Sequence, residues 1–367
     1  MLTQIGEGKK AKKVLVIVTG GTLIMKPSGT GGTLDVCPGF LSELLALPEW
    51  RHENLPDIDV LEWDHLTDSA CMGPEHWIKI AEEIESAYFR YEGFVVVHGT
   101  DTLAYSASAL AFMFENLGKP VVFTGSQIPL AEVYSDARNN LVSSLLFACR
   151  QDFQEVCIVF GSRLLRGCRT TKVHSFDLQA FASPNFPPLA TLGVNLEFAS
   201  NISLPPPRKP LRVHKDMDAN LVVVRLVPGF EDDALFAMIN HSRHLHGIIL
   251  LLYGTGNGDT SSRSGLLEAV TLAAQKGILV VVLTQCFQGG VLLDKYSVGV
   301  ALCAAGVVSG HDMTVEACVT KISYLFSRTG GDIDKVKSLL SVDLRGELSN
   351  DSRYRSAIKD VVPLAKL

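Results

Sequence analysis

Three short apolar runs each end in a turn rich in glycine and hydroxyl groups, and this pattern narrows the possible folds more than any other feature of the chain. Val14 to Val18 leads into Thr19-Gly20-Gly21-Thr22. Phe94 to Val97 leads into His98-Gly99-Thr100-Asp101-Thr102, and Val121 to Phe123 into Thr124-Gly125-Ser126-Gln127. Continuous apolar runs without polar alternation fit strands buried on both faces, as in a parallel sheet. In an open parallel sheet the carboxyl ends of the strands share one crevice, where ligands bind. Hydroxyls, a carboxylate and glycine-freed backbone amides would converge there on something small and polar.

The segments between these runs read as helices and further strands. One helix is predicted from Pro38, carrying Phe40, Leu41, Leu44 and Leu45, and another from Pro74, with Ile80, Ile84 and Tyr88 at helical spacing. Further helices are predicted over Ala104 to Leu117, ended by Gly118, and over Asp136 to Arg150. Ile58 to Trp63 and Val156 to Phe160 read as strands. Pro187, Pro188, Pro205, Pro206, Pro207 and Pro210 mark an extended connector. After it Leu221 to Leu226, Ile248 to Leu252 and Ile278 to Leu283 are again strand-like. The expected fold is therefore α/β with two domains. A larger N-terminal domain over 13–195 holds a mostly parallel sheet, a linker spans 196–218, and a smaller C-terminal α/β domain covers 219–350.

A length of 367 residues suits two cores. The formal net charge of -6 argues against a nucleic-acid surface. Lys9, Lys10, Lys12 and Lys13 read as a solvated leader, and the polar stretch Met1 to Lys13 lacks the apolar region of a secretory signal. No apolar stretch reaches the length of a membrane span. The eight cysteines are scattered, with no Cys-x-x-Cys pair. They read as reduced thiols of a cytoplasmic protein.

Residue types alone leave alternatives open. Thr22 ends a turn whose glycines expose backbone amides, so its hydroxyl could attack a carbonyl beside a ready oxyanion site. The favoured reading of that turn, however, is ordinary strand–helix geometry. Thr100 and Asp101 could bind or attack a substrate, or Asp101 could cap the helix that follows. Arg166-Gly167-Cys168-Arg169-Thr170-Thr171-Lys172 reads first as a surface loop, with Lys172 as a proton-transfer group only if it meets a hydroxyl and a carboxylate. Asp68-Ser69 is a cap or a substrate clamp. Asp136 and Asn140, four residues apart, either orient the Thr124 loop or cap locally. The histidines, His241, His244 and His246 included, show no convincing metal-site spacing.

Together these motifs resemble the bacterial-type L-asparaginases. The two hallmark turns are Thr19-Gly20-Gly21-Thr22 and Val97-His98-Gly99-Thr100-Asp101-Thr102. The likeness continues through Thr124-Gly125-Ser126-Gln127-Ile128-Pro129-Leu130, the Arg166 to Lys172 segment, Tyr253-Gly254-Thr255-Gly256-Asn257, Thr284-Gln285-Cys286, Asp312-Met313-Thr314-Val315-Glu316-Ala317 and Leu344-Arg345-Gly346-Glu347-Leu348. The loop sequences are most similar to the cytosolic type I branch, including the N-terminal domain of larger animal proteins. The resemblance implies cofactor-free hydrolysis of L-asparagine to L-aspartate and ammonia. Thr22 would be the nucleophile, and Thr100, Lys172 and Asp101 a relay. Asp101 would also bind the substrate ammonium, Ser69 its carboxylate, and the Ser126 carbonyl its amide. It further implies a homodimer or homotetramer, with active sites near the junction of the two domains and a neighbouring subunit.

Two positions depart from the family pattern. The tyrosine usual on the mobile segment after the first motif is replaced by Thr33; another residue, a water or a tyrosine from elsewhere would take its part, and Tyr296 is one candidate. Gly29, Gly31 and Gly32 make that segment a candidate lid. The arginine of the bacterial type I enzyme's allosteric asparagine site is replaced by Leu251 or Leu252, which removes a bidentate carboxylate partner, although Cys286 is kept. Competing readings are a broader glutaminase-asparaginase, an amidase acting on a larger carrier, a non-catalytic asparagine sensor and, last, a dinucleotide enzyme, for which the Gly-x-Gly-x-x-Gly spacing is missing.

Overall fold

The structure, a computed structural model, describes residues 2–5, 12–28, 33–218, 220–261 and 265–349. The glycines of the candidate lid and Lys9 and Lys10 lie outside the described residues. The chain divides into two compact units, Met1–Ser183 with Pro187–Lys215, and Pro184–Phe186 with Asp216–Leu367.

In the first unit the elements run β1 (Leu2–Ile5), β2 (Lys13–Val18), β3 (Met25–Ser28), β4 (Thr33–Val36), α1 (Phe40–Ala46), β5 (Asp57–Glu62) and α2 (Pro74–Ala87). There follow β6 (Gly93–Val97), α3 (Leu103–Met113), β7 (Phe114–Glu115), β8 (Val121–Thr124), α4 (Ala137–Ala148), β9 (Val156–Phe160) and β10 (Arg163–Arg166). The unit closes with β11 (Thr171–Lys172), β12 (Phe181–Ala182), β13 (Ala190–Leu192), β14 (Leu196–Phe198) and β15 (Arg212–Val213).

Nine strands form its main sheet in the order β1-β5-β2-β6-β8-β9-β10-β13-β14. β5, β2, β6, β8 and β9 are mutually parallel, while β1 and the β10-β13-β14 ribbon add antiparallel margins. The parallel centre has its cause in the sequence. Val14 to Val18 and Phe94 to Val97 are all buried, each such side chain contributing about 1.5–3 kcal/mol over exposure. From β2 the chain crosses to β5 on one side, and from β6 to β8 on the other. The ends of β2 and β6 therefore flank a topological switch point, where open α/β sheets hold ligands.

The predicted helix over Ala104 to Leu117 is shorter than expected. α3 stops at Met113, because Phe114 and Glu115 turn extended and pair with Val213 and Arg212. Asn116 then takes a left-handed φ of 60°, which asparagine tolerates. The Gly118 N–H goes to the Tyr88 hydroxyl (2.8 Å) rather than to a helix end.

The second unit contains β16 (Leu221–Arg225), α5 (Asp232–His241), β17 (Gly247–Leu252), α6 (Leu266–Gln275), β18 (Leu279–Thr284), α7 (Ser297–Ala304), β19 (Val308–Ser309), α8 (Val315–Thr329) and α9 (Ile333–Leu340). Its sheet, β16-β17-β18-β19, is wholly parallel. The all-buried runs Gly-Ile-Ile-Leu-Leu-Leu and Leu-Val-Val-Val-Leu form its centre. Beneath the segment after α9, Lys321 and Glu347 make an ion pair (2.5 Å) buried from solvent. The Glu347 carboxylate also accepts the Leu344 and Arg345 N–H groups, which fixes the Leu344 to Leu348 turn. Among the described residues no helix is long and apolar enough to cross a membrane.

Candidate active site

Glycine makes the three strand-end turns dock backbone to backbone. Gly20 and Gly21 hold φ values of 143° and 96°, a region L side chains rarely adopt. An added Cβ on Gly20 would overlap the Thr67 carbonyl, and one on Gly21 would overlap the backbone of Gly99. At Gly125 a Cβ would overlap the His98 carbonyl, and at Gly99 it would meet the Ser69 side chain. Hydrogen bonds tie the same segments together. Thr19 N donates to the Val97 carbonyl (3.0 Å), Thr67 N to the Thr19 carbonyl (2.9 Å), and His98 N to the Thr124 carbonyl (2.8 Å).

This docking gathers five of the six candidate residues, from four segments of the chain, around the His98–Gly99 backbone. Thr22 and Thr100 each follow a partner of the Gly21–Gly99 contact. Ser69 packs on Gly99, and Ser126 follows Gly125, which lies against His98 and the Thr100 methyl. Asp101 comes next in sequence. Lys172, the sixth, arrives from β11, which is held by pairing with β12. Its Nζ donates to Thr100 Oγ1 (2.8 Å) and to Asp101 Oδ1 (2.7 Å). Asp101 is 67 % exposed and Lys172 18 %, so the carboxylate faces solvent while the ammonium is largely covered. Thr100 also donates weakly to Gln127 Oε1 (3.4 Å). The Thr22 hydroxyl has no hydrogen-bond partner among the described residues.

The residue-level reading of Arg166 to Lys172 as a surface loop is overturned. Arg166, Arg169 and Thr170 are buried. Arg166 Nε pairs with Glu155 Oε2 (2.5 Å), its second nitrogen reaches Glu155 Oε1 (3.1 Å), and the Ile202 carbonyl accepts from it as well (2.7 Å). Register explains the pair: in the β9–β10 hairpin Arg166 stands opposite Cys157, two residues beyond Glu155. Helix capping by Asp101 is also corrected. The cap position belongs to Thr102, no side chain caps α3, and the Thr102 hydroxyl donates instead to the Ser69 carbonyl (2.6 Å). Asp68 does cap, accepting from Ala70 N (2.9 Å).

Asp136 and Asn140 orient the Gly125 to Ile128 loop. The Asp136 carboxylate accepts from Gln127 N (3.1 Å) and Ile128 N (3.0 Å). Asn140 Nδ2 donates to the Gly125 carbonyl (3.0 Å) and to Asp136 (3.1 Å), while its Oδ1 accepts from Gly161 N (3.0 Å). Gln127 N and the Ser126 carbonyl belong to one trans peptide, so fixing the first turns the second to the opposite edge.

Residue types gave no sign of the buried His98–Ser106–Trp77 contact, since its members meet only in the fold. The His98 imidazole lies 2.9 Å from Ser106 Oγ through Nε2 and 2.7 Å from the Gly99 carbonyl through Nδ1. Burial pushes its pKa down to about 4, outweighing the Gly99 hydrogen bond, so the ring is neutral. Thr33, where the family tyrosine is missing, is exposed and stands opposite Ser28 in the β3–β4 hairpin. Tyr296 is exposed at the start of α7 in the second unit. No group of three or more histidine, cysteine, aspartate or glutamate side chains able to hold a metal ion occurs among the described residues.

Comparison with known proteins shows the family. Residues 13–204 match the model described as "Asparaginase, N-terminal", and residues 220–340 the model described as "Glutaminase/Asparaginase C-terminal domain". L-asparaginase 1 of Escherichia coli is 42% identical over 93% of this chain and 99% of its own length. The 60 kDa lysophospholipase of Mus musculus is 39% identical over 92% of this chain, which spans 63% of that longer protein. The crystal structure of L-asparaginase I from Vibrio cholerae superposes with a TM-score of 0.84 at 39% identity, covering 92% of this chain and 99% of that one. The chain belongs to the bacterial-type L-asparaginase family, in its type I branch.

Proposed function

We propose that the protein hydrolyses L-asparagine to L-aspartate and ammonia through an ester on Thr22, without a cofactor. One observation carries the reading: Lys172 Nζ joins Thr100 Oγ1 and Asp101 Oδ1 beside the turn that bears Thr22. Family membership and the E. coli and V. cholerae relatives support the substrate.

In this reading Thr22 Oγ1 attacks the side-chain carbonyl of asparagine. Backbone N–H groups at the strand ends hold the oxyanion. The C–N bond breaks, the proton lost by Thr22 ends on the leaving nitrogen, and a β-aspartyl ester remains. Water then attacks the ester and Thr22 regains its proton. Thr100 is the shuttle in both halves. The Lys172 ammonium occupies a Thr100 lone pair, which turns the hydroxyl proton away from the lysine and steadies the oxygen when that proton is transferred. Asp101 offsets the lysine charge and, with its exposed oxygen, accepts the substrate ammonium. Ser69 holds the α-carboxylate and the Ser126 carbonyl receives the amide. A site satisfying three anchors disfavours glutamine, whose extra methylene costs about 1–3 kcal/mol through misplacement. The active form is a homodimer or homotetramer.

The test is ammonia release from L-asparagine and L-glutamine by wild type and Thr22→Ala. Selective turnover of asparagine that vanishes in the variant is the expected result. Saturable asparagine binding without ammonia would make the protein a sensor, and comparable glutamine turnover a broader amidohydrolase, the activity named in the C-terminal model.

A further inference from the structure

A hydrogen-bond chain buried behind the site has only one consistent proton order. The Trp77 indole can only donate, and it gives its N–H to Ser106 Oγ (3.0 Å). Ser106 therefore has its own proton free for His98 Nε2 (2.9 Å). At the other side of the ring Nδ1 meets the Gly99 carbonyl at 2.7 Å, and a carbonyl can only accept. Nδ1 must then carry the hydrogen, and Nε2 must be bare. The Gly99 carbonyl sets the tautomer, and the Trp77–Ser106 end is compatible with it, since Ser106 accepts from Trp77 and donates to the bare Nε2. All three side chains are buried from bulk solvent. The low His98 pKa agrees, since a second ring proton would leave no acceptor role for Nε2.

The bond to Gly99 sets a peptide plane. No peptide bond among the described residues is cis. With the Gly99 carbonyl drawn inward to His98, the N–H of Thr100 points from the opposite edge of the same plane. That N–H finds no backbone or side-chain acceptor among the described residues. It belongs to the residue whose hydroxyl meets Lys172, one position beyond the Gly21–Gly99 contact.

We infer that His98 is a positioning residue: as its Nδ1–H tautomer, ordered by Ser106 and Trp77, it holds the Gly99–Thr100 peptide so that the Thr100 N–H faces the reacting carbonyl. The inference rests on the proposed amide hydrolysis. His98 touches neither substrate nor nucleophile. Its contribution appears only as negative charge develops on the oxygen, so it belongs to kcat rather than to substrate affinity.

The experiment compares wild type with His98→Leu, His98→Asn and Ser106→Ala in steady-state ammonia release from L-asparagine. Nitrogen NMR of the wild-type imidazoles is recorded alongside, with the His98→Asn spectrum assigning the ring. Leucine removes the donor at similar volume, and asparagine restores an N–H near the Nδ1 position. Losing one oxyanion donor typically costs about 10²–10³ in kcat; His98→Leu leaves the Thr100 N–H in place but unheld, so its kcat should fall by up to about 100-fold. Its KM should stay within about threefold, and His98→Asn should recover to within about tenfold of wild type. Ser106→Ala, which keeps the fold if the leucine variant does not, should lower kcat by about tenfold at unchanged KM. The His98 spectrum should show a protonated Nδ1 and a bare Nε2. The reverse tautomer, a Ser106→Ala enzyme with wild-type kcat, or a His98→Asn enzyme no better than His98→Leu would overturn the inference. Wild type that binds asparagine but releases no ammonia would instead refute the proposed hydrolysis, while the NMR result would still decide the tautomer.

Discussion

Asp136 offers the sharpest test of how the Ser126 carbonyl is held. Its carboxylate takes N–H groups from Gln127 and Ile128 and one amide hydrogen from Asn140, all between 3.0 and 3.1 Å. A hydrogen bond to a charged group contributes about 1.5–3 kcal/mol when buried. Asp136 is only half-buried, so water replaces part of what Asp136→Ala removes. The expected net loss of stability is about 3 kcal/mol rather than the full sum of the bonds. The functional loss is separate. With the Gln127 N–H released, the Ser126–Gln127 peptide can rotate and its carbonyl leaves the substrate amide. One such bond is worth about tenfold in kcat/KM, and added misplacement up to about 100-fold. Asp136→Asn should fall between wild type and alanine. Its remaining carbonyl can accept from Gln127 or Ile128, but its NH2 then faces Asn140 Nδ2. Asn140 cannot flip to receive it, because Gly125 and Gly161 hold both ends of that amide. Urea unfolding and ammonia-release kinetics on the three proteins read both quantities. An alanine variant with wild-type kcat/KM would show that the loop needs no external hold, and the peptide-plane reasoning would fail.

Four further outcomes are expected. Lys172→Met should keep its fold and lose about 10²–10⁴ in kcat, the range of a proton-transfer partner; a loss confined to KM would assign the lysine to binding only. Glu155→Gln should destabilise the first unit by about 3–5 kcal/mol in urea unfolding, because it leaves the Arg166 guanidinium buried without its counter-charge. Folding stability should fall with acid between pH 6.5 and about 4, where the unfolded chain binds a proton that native His98 refuses. The gap between those values corresponds to about 3 kcal/mol, present above the window and lost across it, and His98→Asn should flatten that part of the profile. Activation by asparagine through the second unit should be weak or absent, since β17 offers buried Leu251 and Leu252 where the resemblance puts the arginine of the bacterial type I enzyme; a sigmoidal velocity curve from a stable oligomer would contradict this.

What the sequence makes legible here, and what it hides, follows from the range of the forces involved. The central strands are readable because burial on both faces leaves no room for polar alternation, and Val14 to Val18 shows none. The glycine turns are readable because only glycine survives the backbone contacts of Gly20 and Gly21. Motif resemblance then supplies Lys172, which residue types had placed on a surface loop. Nothing local identifies Arg166 as buried, because its partner Glu155 is set opposite it by the β9–β10 register. Likewise nothing local separates Asp101 as a cap from Asp101 as a partner of Lys172, which lies 71 residues away in sequence. The end of α3 fails for a related reason: Phe114 and Glu115 have helical company in sequence, but their backbone groups are claimed by β15 nearly a hundred residues on. A polar side chain in a strand-end turn thus announces a capacity to bond, while the strand order decides which distant group takes it up. At this switch point the choice falls on Thr100 and Asp101 together because β2, β6 and β8 end at one level, and the β11–β12 ribbon brings the only lysine bonded to either of them among the described residues.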